Sequence, residues 1–440
     1  MERIDNVNIL TPDGAKFGSV VIGDDGLIAG IDIQHASDAS TRQYPCLLPG
    51  LVDGHVHFRE PGLTHKADIA SESRAAAAGG VTTVLDMPNV NPTTTSPEAL
   101  ADKHRRFAAD SVVSYGIWYG ITADNVEQAL RDYGMPDSPH RDEICGFKVF
   151  LGSSTGGMLM NDEALLRHLF SATDRVIGIH SESEDIIRRN RQHYCDLVNM
   201  QLNGSTDRPI EDLPIEYHPK IRDVEACMHT TRMAVELALE TGANLHVCHL
   251  TTAEEVEYLR DAMAKSDGRI TCEVTPAHLM FSQEDYRRLG TRIKCNPAIK
   301  RVQDRDALRL AAANGIITTV GTDHAPHLLS DKQGGALRAA SGMPSIQFSL
   351  LSLLELHDQG LLSLSRIVEL TAAAPARRFG LADRGEICVG KRADLVLVSS
   401  DSQTTVTGDI ILSKCGWSPF EGHTFNHRII STWVNGTKVY

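Results

Sequence analysis

Two histidines separated by one residue, His55-Val56-His57, close an apolar run that reads as a strand, Gly50–His57. Residues two apart on a strand project from the same face. Two imidazoles on one face suit a divalent metal, because neutral imidazole is a common metal ligand. His180 and His249 close two further strand-like runs, Val176–His180 and Leu245–His249, and Asp323 follows a third, Ile316–Thr322. A lone histidine is more often a hydrogen-bonded core or surface residue than a ligand. Imidazole or carboxylate groups recurring at separate strand ends are hard to explain by packing, and they point to a metal site. Lys148 lies in a similar run, Gly146-Phe147-Lys148-Val149-Phe150. Its ammonium would face cations. In one reading it reaches solvent or a substrate carboxylate. In the other it is buried, loses its proton and takes up carbon dioxide as a carbamate. A carbamate carries a negative charge and two oxygens that can bridge two metals. Position alone leaves both readings open.

These residues need elements that bring them together. Eight runs read as strands: Gly50–His57, Val81–Met87, Ser111–Tyr119, Ile144–Phe150, Val176–His180, Leu245–His249, Ile270–Val274 and Ile316–Thr322. Helical patterns lie between most of them, for example Lys66–Ala78, Pro97–Ala108, Asp162–Phe170 and Val224–Glu240. Eight parallel-type strands with intervening helices predict an α/β chain built as a (β/α)8 TIM-type barrel; a doubly wound sheet is the competing arrangement. In a barrel the C-terminal strand ends meet on one face, which is where the candidate ligands fall. The two chain ends read differently. Val7–Leu10, Gly18–Ile22 and Leu27–Ile31, then Ala393–Val398, Gly408–Leu412, Phe425–Val434 and Thr437–Tyr440, are short alternating or β-branched runs split by turn residues. They predict one small β domain made from both termini.

Composition narrows the partners. Hydrophobic residues make up 42% and charged residues 23% of 440, which excludes a disordered or fibrous chain. The net charge of −14 disfavours nucleic acid and anionic membrane as partners. Apolar runs such as Gly315–Val320 are too short to span a bilayer. Met1-Glu2-Arg3-Ile4-Asp5 does not start a secretory signal, so a cytoplasmic location is expected. Nine cysteines, with no Cys-x-x-Cys pair, argue against a disulfide framework and suit a reducing compartment.

Together the motifs resemble those of dihydroorotases in the amidohydrolase superfamily. Asp53-Gly54-His55-Val56-His57-Phe58-Arg59-Glu60-Pro61-Gly62 resembles their first-strand signature, and Met87-Pro88-Asn89 their second-strand motif. Gly146–Phe150 is similar to the carbamylated-lysine strand. His246-Val247-Cys248-His249 and Gly321-Thr322-Asp323-His324-Ala325-Pro326-His327 are similar to the sixth- and eighth-strand motifs. The resemblance runs from about Gly50 to Arg378. The flanking ends fit the composite β-sandwich of such enzymes, over residues 1–49 and 383–440, around a catalytic barrel of residues 50–382.

The resemblance implies two divalent metals, zinc by expectation. His55, His57 and Asp323 would hold one and His180 and His249 the other, with carbamylated Lys148 and a hydroxide between them. Asp323 would serve as base and then acid. The implied reaction is the reversible cyclisation of N-carbamoyl-L-aspartate to L-dihydroorotate, in pyrimidine synthesis. Arg59, Asn89 and His327 match positions that clamp the substrate carboxylate, a role suited to the planar donor fork of arginine. The plain alternative for Arg59 is a salt bridge with Glu60, but its place on the same face as His57 favours the site. Asn296 matches a substrate-binding asparagine, although the family's Pro-Pro-Leu-Arg is replaced here by Pro297-Ala298-Ile299-Lys300.

Gly152–Gly157 lacks a P-loop's Gly-Lys-Ser/Thr ending and reads either as a lid with hydroxyls at Ser153–Thr155 or as a flexible turn. The Gly334–Pro344 segment is expected to border the substrate. The rival readings are an allantoinase or hydantoinase and, from another class, a noncatalytic scaffold for a transcarbamoylase. The first lacks support from Met87-Pro88-Asn89 and Arg59, the second from six intact ligand positions. A small molecule is the expected partner, with a homodimer left open.

Overall fold

The computed structural model describes residues 1–11, 14–34, 44–152, 157–203 and 210–440. The sequence runs around Lys148 and His55 are apolar without alternation because both faces of those strands are covered. Every residue of β5 (Leu51–Val56), β6 (Val81–Asp86) and β8 (Gly146–Phe150) is buried. With β7 (Ser114–Gly120), β9 (Ile177–His180), β10 (Leu245–Val247), β11 (Thr271–Val274) and β12 (Thr319–Val320), they form an eight-stranded sheet paired in chain order. All the pairings are parallel. A parallel bridge between Val56 and His324 draws the last strand to the first, and the His57 amide donates to the His324 carbonyl at 2.9 Å. The nearly closed result is the expected barrel rather than a doubly wound sheet.

Capping residues set the helix starts. Ser96, Asp162, Asp223 and Thr252 each accept a backbone N–H in the first turn of the helices Pro97–Asp110, Glu163–Ala172, Val224–Thr241 and Ala253–Met263. The helix expected from Lys66 begins at Ile69, because Asp68 is its cap and accepts from the Ser71 amide at 2.8 Å. Lys66 is thereby left outside the helix.

The chain ends build a separate seven-stranded sheet. Its strands are β1 (Glu2–Thr11), β2 (Gly14–Ile22), β3 (Ile28–Ile33), β4 (Cys46–Pro49), β13 (Leu395–Ser399), β16 (Arg428–Val434) and β17 (Thr437–Lys438). β14 (Thr404–Thr405) and β15 (Thr424–Phe425) pair apart from it. Alternation divides its two faces. Ile9, Leu47 and Leu395 join a core with Val20, Ile28 and Trp433. Their neighbours Leu10, Leu48 and Val396 join the barrel core instead.

Two expected strands differ. Gly408–Leu412 is not a strand: Gly408–Ile410 is a 3-10 turn. The Gln347 side chain takes the groups a sheet partner would need, donating to the Ile410 carbonyl at 2.6 Å and accepting from the Leu412 amide at 2.9 Å. Phe425–Val434 is split before Arg428, where Asn426 and His427 both bond Asp358. Among the described residues no helix is long and apolar enough to cross a membrane.

Leu48, 1% exposed, joins the terminal sheet to the barrel core. Leu48→Ala is expected to lower stability by about 2–5 kcal/mol, the usual range for a buried Leu→Ala change. Denaturant unfolding checks this, and turnover of the folded fraction should stay near that of the parent chain.

Candidate active site

The strand ends converge on a small cavity of about 90 Å³. Its lining includes His55, His57, Arg59, Asn89, Lys148, His180, His249, Asn296, Asp323 and His327, all ten side chains singled out from sequence, with Phe150, Ala325, Ser341 and Gly342. The Gly334–Pro344 segment thus reaches the cavity, as expected. The Ser153–Thr155 loop lies outside the described residues. A larger cavity, about 570 Å³, contains none of the ten. Convergent chemistry, rather than volume, locates the site.

Two sets of donor atoms face one another. His57 Nε2 and His55 Nε2 lie 2.9 and 3.4 Å from the same Asp323 Oδ1. These three residues can each offer an atom to one ion, all the atoms lying within 4.8 Å of one another. On the other side His180 Nδ1 is 2.9 Å from His249 Nε2. The remaining nitrogens of His55, His57 and His180 are tied from behind, whereas His249 Nδ1 is buried without a partner among the described residues. His55 Nδ1 meets Glu273 Oε1 at 2.8 Å, His57 Nδ1 meets Asn89 Oδ1 at 2.7 Å, and His180 Nε2 meets Glu182 Oε2 at 3.0 Å. Glu182 is itself paired with Arg222. An imidazole whose second nitrogen is held by an oxygen is oriented for metal binding, so the donor chemistry fits a divalent ion. Lys148 is fully buried, which removes the reading of a lysine reaching solvent. Its Nζ lies 3.1 Å from Cys248 Sγ, and no carboxylate lies within ion-pair distance among the described residues.

Charge is distributed to match. Burial pushes the Asp323 carboxyl up, but His55 and His57 outweigh it and bring it down to about 2. Burial disfavours charge on His55, yet Glu273 and Asp323 outweigh it and raise the imidazole to about 10. A bound dication would displace that proton. Burial lowers His57 to about 4 and holds His180 and His249 below their ordinary value. Neutral imidazole is the ligand form.

Beside these candidate ligands lies a surplus of donors. Arg59 is 3% exposed and does not pair with Glu60, which binds Arg106 at 3.0 Å. Arg59 Nε donates to the Pro326 carbonyl, and its Nη2 lies 3.1 Å from His327 Nε2. Lys66 Nζ lies 3.1 Å from the other ring nitrogen of His327. Burial, then Arg59 and Lys66, push the His327 imidazole far below its usual range, so it is neutral. A neutral imidazole accepts at one nitrogen only, and cations face both. Asn89 spends its carbonyl on His57 and keeps its amide donors, while the buried Asn296 Oδ1 lacks a partner.

The backbone is shaped here too. Among the described residues six non-glycine residues have positive φ, and three are site residues: Arg59 (66°), His249 (38°) and Asp323 (46°). Such conformations persist where surrounding structure over-determines them. Sequence reasoning missed Glu273, Glu182 and Lys66. Signals existed for the first two: Glu273 interrupts an apolar strand, and Glu182 follows a strand-end histidine by two residues.

Fold and site define a hydrolase barrel of the cyclic-amide type. The Amidohydrolase family pattern matches residues 200–439, and the Dihydro-orotase-like pattern matches residues 45–136. The chain belongs to the amidohydrolase family. It is 38% identical to a dihydroorotase of Halobacterium salinarum over 90% of this chain and 86% of that one. It is also 33% identical to an allantoinase of Bacillus velezensis, over 94% and 89%. Its structure is similar to an L-hydantoinase (dihydropyrimidinase) from Arthrobacter aurescens, with TM-score 0.89, 26% identity and coverage of 99% and 95%. Metal dependence is general in this family, and the site has candidate ligand groups for it.

Glu273→Gln keeps the size of the residue that orients His55 but removes its charge. Metal affinity is expected to fall about 10- to 100-fold, the usual effect of removing such a support. Competition with a chelator measures it; unchanged affinity would show that Glu273 does not orient a ligand.

Proposed function

We propose that the chain is a dihydroorotase, interconverting N-carbamoyl-L-aspartate and L-dihydroorotate. The observation that carries this reading is the buried donor surplus of Arg59, Asn89 and His327 directly beside the ligand set. A cyclic amide that also bears a carboxylate would satisfy both halves of the cavity. The dihydroorotases among its relatives support the same choice.

Two divalent ions, zinc by the nitrogen and oxygen donors, would be held by His55, His57 and Asp323 and by His180 and His249, with carbamylated Lys148 between them. When bound, they would polarise the scissile carbonyl and acidify the attacking water. Arg59 offers two parallel donors to the substrate carboxylate, and Asn89 and His327 fix its angle. That clamp holds the ring amide toward Asp323. Asp323, ionised at neutral pH, takes the proton of the nucleophile and hands it to the departing ring nitrogen; ring closure runs the same transfers backwards. In this reading residues 50–382 are the catalytic unit, and residues 1–49 with 383–440 are its composite companion domain.

The test is turnover of dihydroorotate, allantoin, hydantoin and dihydrouracil side by side by the metal-loaded protein. Dihydroorotate is expected to be preferred over dihydrouracil by roughly 10⁴-fold in kcat/KM, because buried donors are left unpaired by the compound lacking a carboxylate. Arg59→Met should erase most of that preference. Preferred turnover of allantoin or hydantoin would replace the assignment with one of the related cyclic amidohydrolases.

Lys148→Ala separates a bridging carbamate from a substrate contact. Metal content should fall and activity collapse, with partial recovery on adding acetate or propionate, while Lys148→Arg should stay inactive. Full metal occupancy in Lys148→Ala, without carboxylate rescue, would exclude the carbamate.

A further inference from the structure

The larger cavity, about 570 Å³, sits at the N-terminal ends of the strands, bounded by Cys145, Val176, Asn244, Thr271 and Thr318. It lies at the end of the barrel opposite the ligand set. Five arginines line it, against two carboxylates. Asp174 is taken by Arg141 at 2.7 Å, and Glu369 is paired with Arg377. Among the described residues, no carboxylate lies within ion-pair distance of Arg175, Arg366 or Arg378. Arg366 spends its donors on the carbonyls of Ala312 and Ile317. Arg175 and Arg378 do not. Arg175 donates through Nη2 to the Ile144 carbonyl, and Arg378 donates to the Arg269 carbonyl at 3.4 Å. The Nε atoms of both are buried and have no hydrogen-bond partner among the described residues.

Acidic residues outnumber basic ones 57 to 43 in this chain, so the lack of a carboxylate beside these arginines does not reflect a shortage of them. A guanidinium that lines a cavity without a carboxylate beside it leaves its charge poorly compensated, and an anion bound in the cavity relieves that cost. The planar fork of arginine matches phosphate and carboxylate oxygens. Two uncompensated guanidiniums suit a dianion better than a single carboxylate. The cavity also exceeds what a bare anion fills and falls in the range of small-molecule sites.

We propose that this cavity is a second binding site, for a phosphate monoester of a small organic molecule, with Arg175 and Arg378 holding the phosphate. It is independent of the catalytic assignment, because none of its residues lines the catalytic cavity.

Calorimetric titration of the metal-loaded full chain with ribose 5-phosphate, adenosine 5′-monophosphate and inorganic phosphate tests it. At least one probe is expected to bind with one-to-one stoichiometry. Affinity should drop at least about tenfold in Arg378→Gln and in Arg175→Gln, each of which removes a charge-assisted contact. It should be unchanged in Arg59→Met, which alters the catalytic cavity. Inorganic phosphate binding as tightly as the esters would assign the site to the free ion rather than to a monoester, and would overturn the organic half of the proposal. Binding by none of the three probes, binding indifferent to both substitutions, or binding lost in Arg59→Met would overturn it entirely. If circular dichroism shows Arg378→Gln to be unfolded, Arg175→Gln decides.

Discussion

One buried carboxylate, Glu273, holds the catalytic end of the barrel in register. Its side chain, 1% exposed, projects from β11 and meets His55 Nδ1 at 2.8 Å and the His249 amide at 3.2 Å. His246 Nε2 lies 3.7 Å away. A single residue of the seventh strand therefore contacts side chain or backbone from the first and sixth strands or the segments that follow them. Room for it is made by glycine. A Cβ at Gly321 would come within 2.1 Å of Glu273 Oε2, and one at Gly54 would strike the Phe379 ring at 2.7 Å. Burial pushes Glu273 toward its neutral form, but His55 and His246 overcome this and hold it ionised. Without that charge, neither the orientation nor the protonation of His55 would be the same.

Other buried carboxylates repeat the principle around the rim. Asp53 accepts from the Thr322 amide and hydroxyl at 3.0 and 2.6 Å and from the His55 amide at 3.1 Å, which ties the first strand to the segment after the eighth. Glu72 binds His324 Nε2 at 2.7 Å, so the histidine next to Asp323 is structural. Isolated buried charge is expensive, and each of these groups is compensated by hydrogen bonds that also fix a site residue or its immediate neighbour. Rigidity at the site and satisfaction of buried polar groups are here the same set of contacts.

The segment that borders the cavity is fastened by a buried lysine. Lys332 Nζ donates to the carbonyls of Lys294, Ala340 and Gly342 at 3.0, 2.7 and 2.7 Å. Burial lowers its ammonium to about 7, yet all three donors are used. Gly342, at φ 128°, passes so close to His327 that a Cβ would sit 3.1 Å from its ring. The donor surplus at Arg59 and His327 thus rests on a loop held by backbone contacts far along the chain.

Much of this architecture was legible in the sequence, because local pattern carries it. Doubly buried parallel strands need continuous apolar runs, capped helices need Ser, Thr or Asp at their starts, and ligands placed at strand ends meet once such strands close into a barrel. The positions of His55, His57, Lys148, His180, His249 and Asp323 followed from that reasoning, and family motifs added Arg59, Asn89, Asn296 and His327. Contacts between distant segments were not legible. Gln347 cancelling the Gly408–Leu412 strand, Glu273 supporting His55, and Lys66 reaching His327 each join residues dozens to hundreds of positions apart. The sequence by itself determined which residue types stand at the strand ends and the period that builds the strands. Only the tertiary structure decided which partners satisfy each buried charge, since that depends on which side chains packing brings within hydrogen-bond distance.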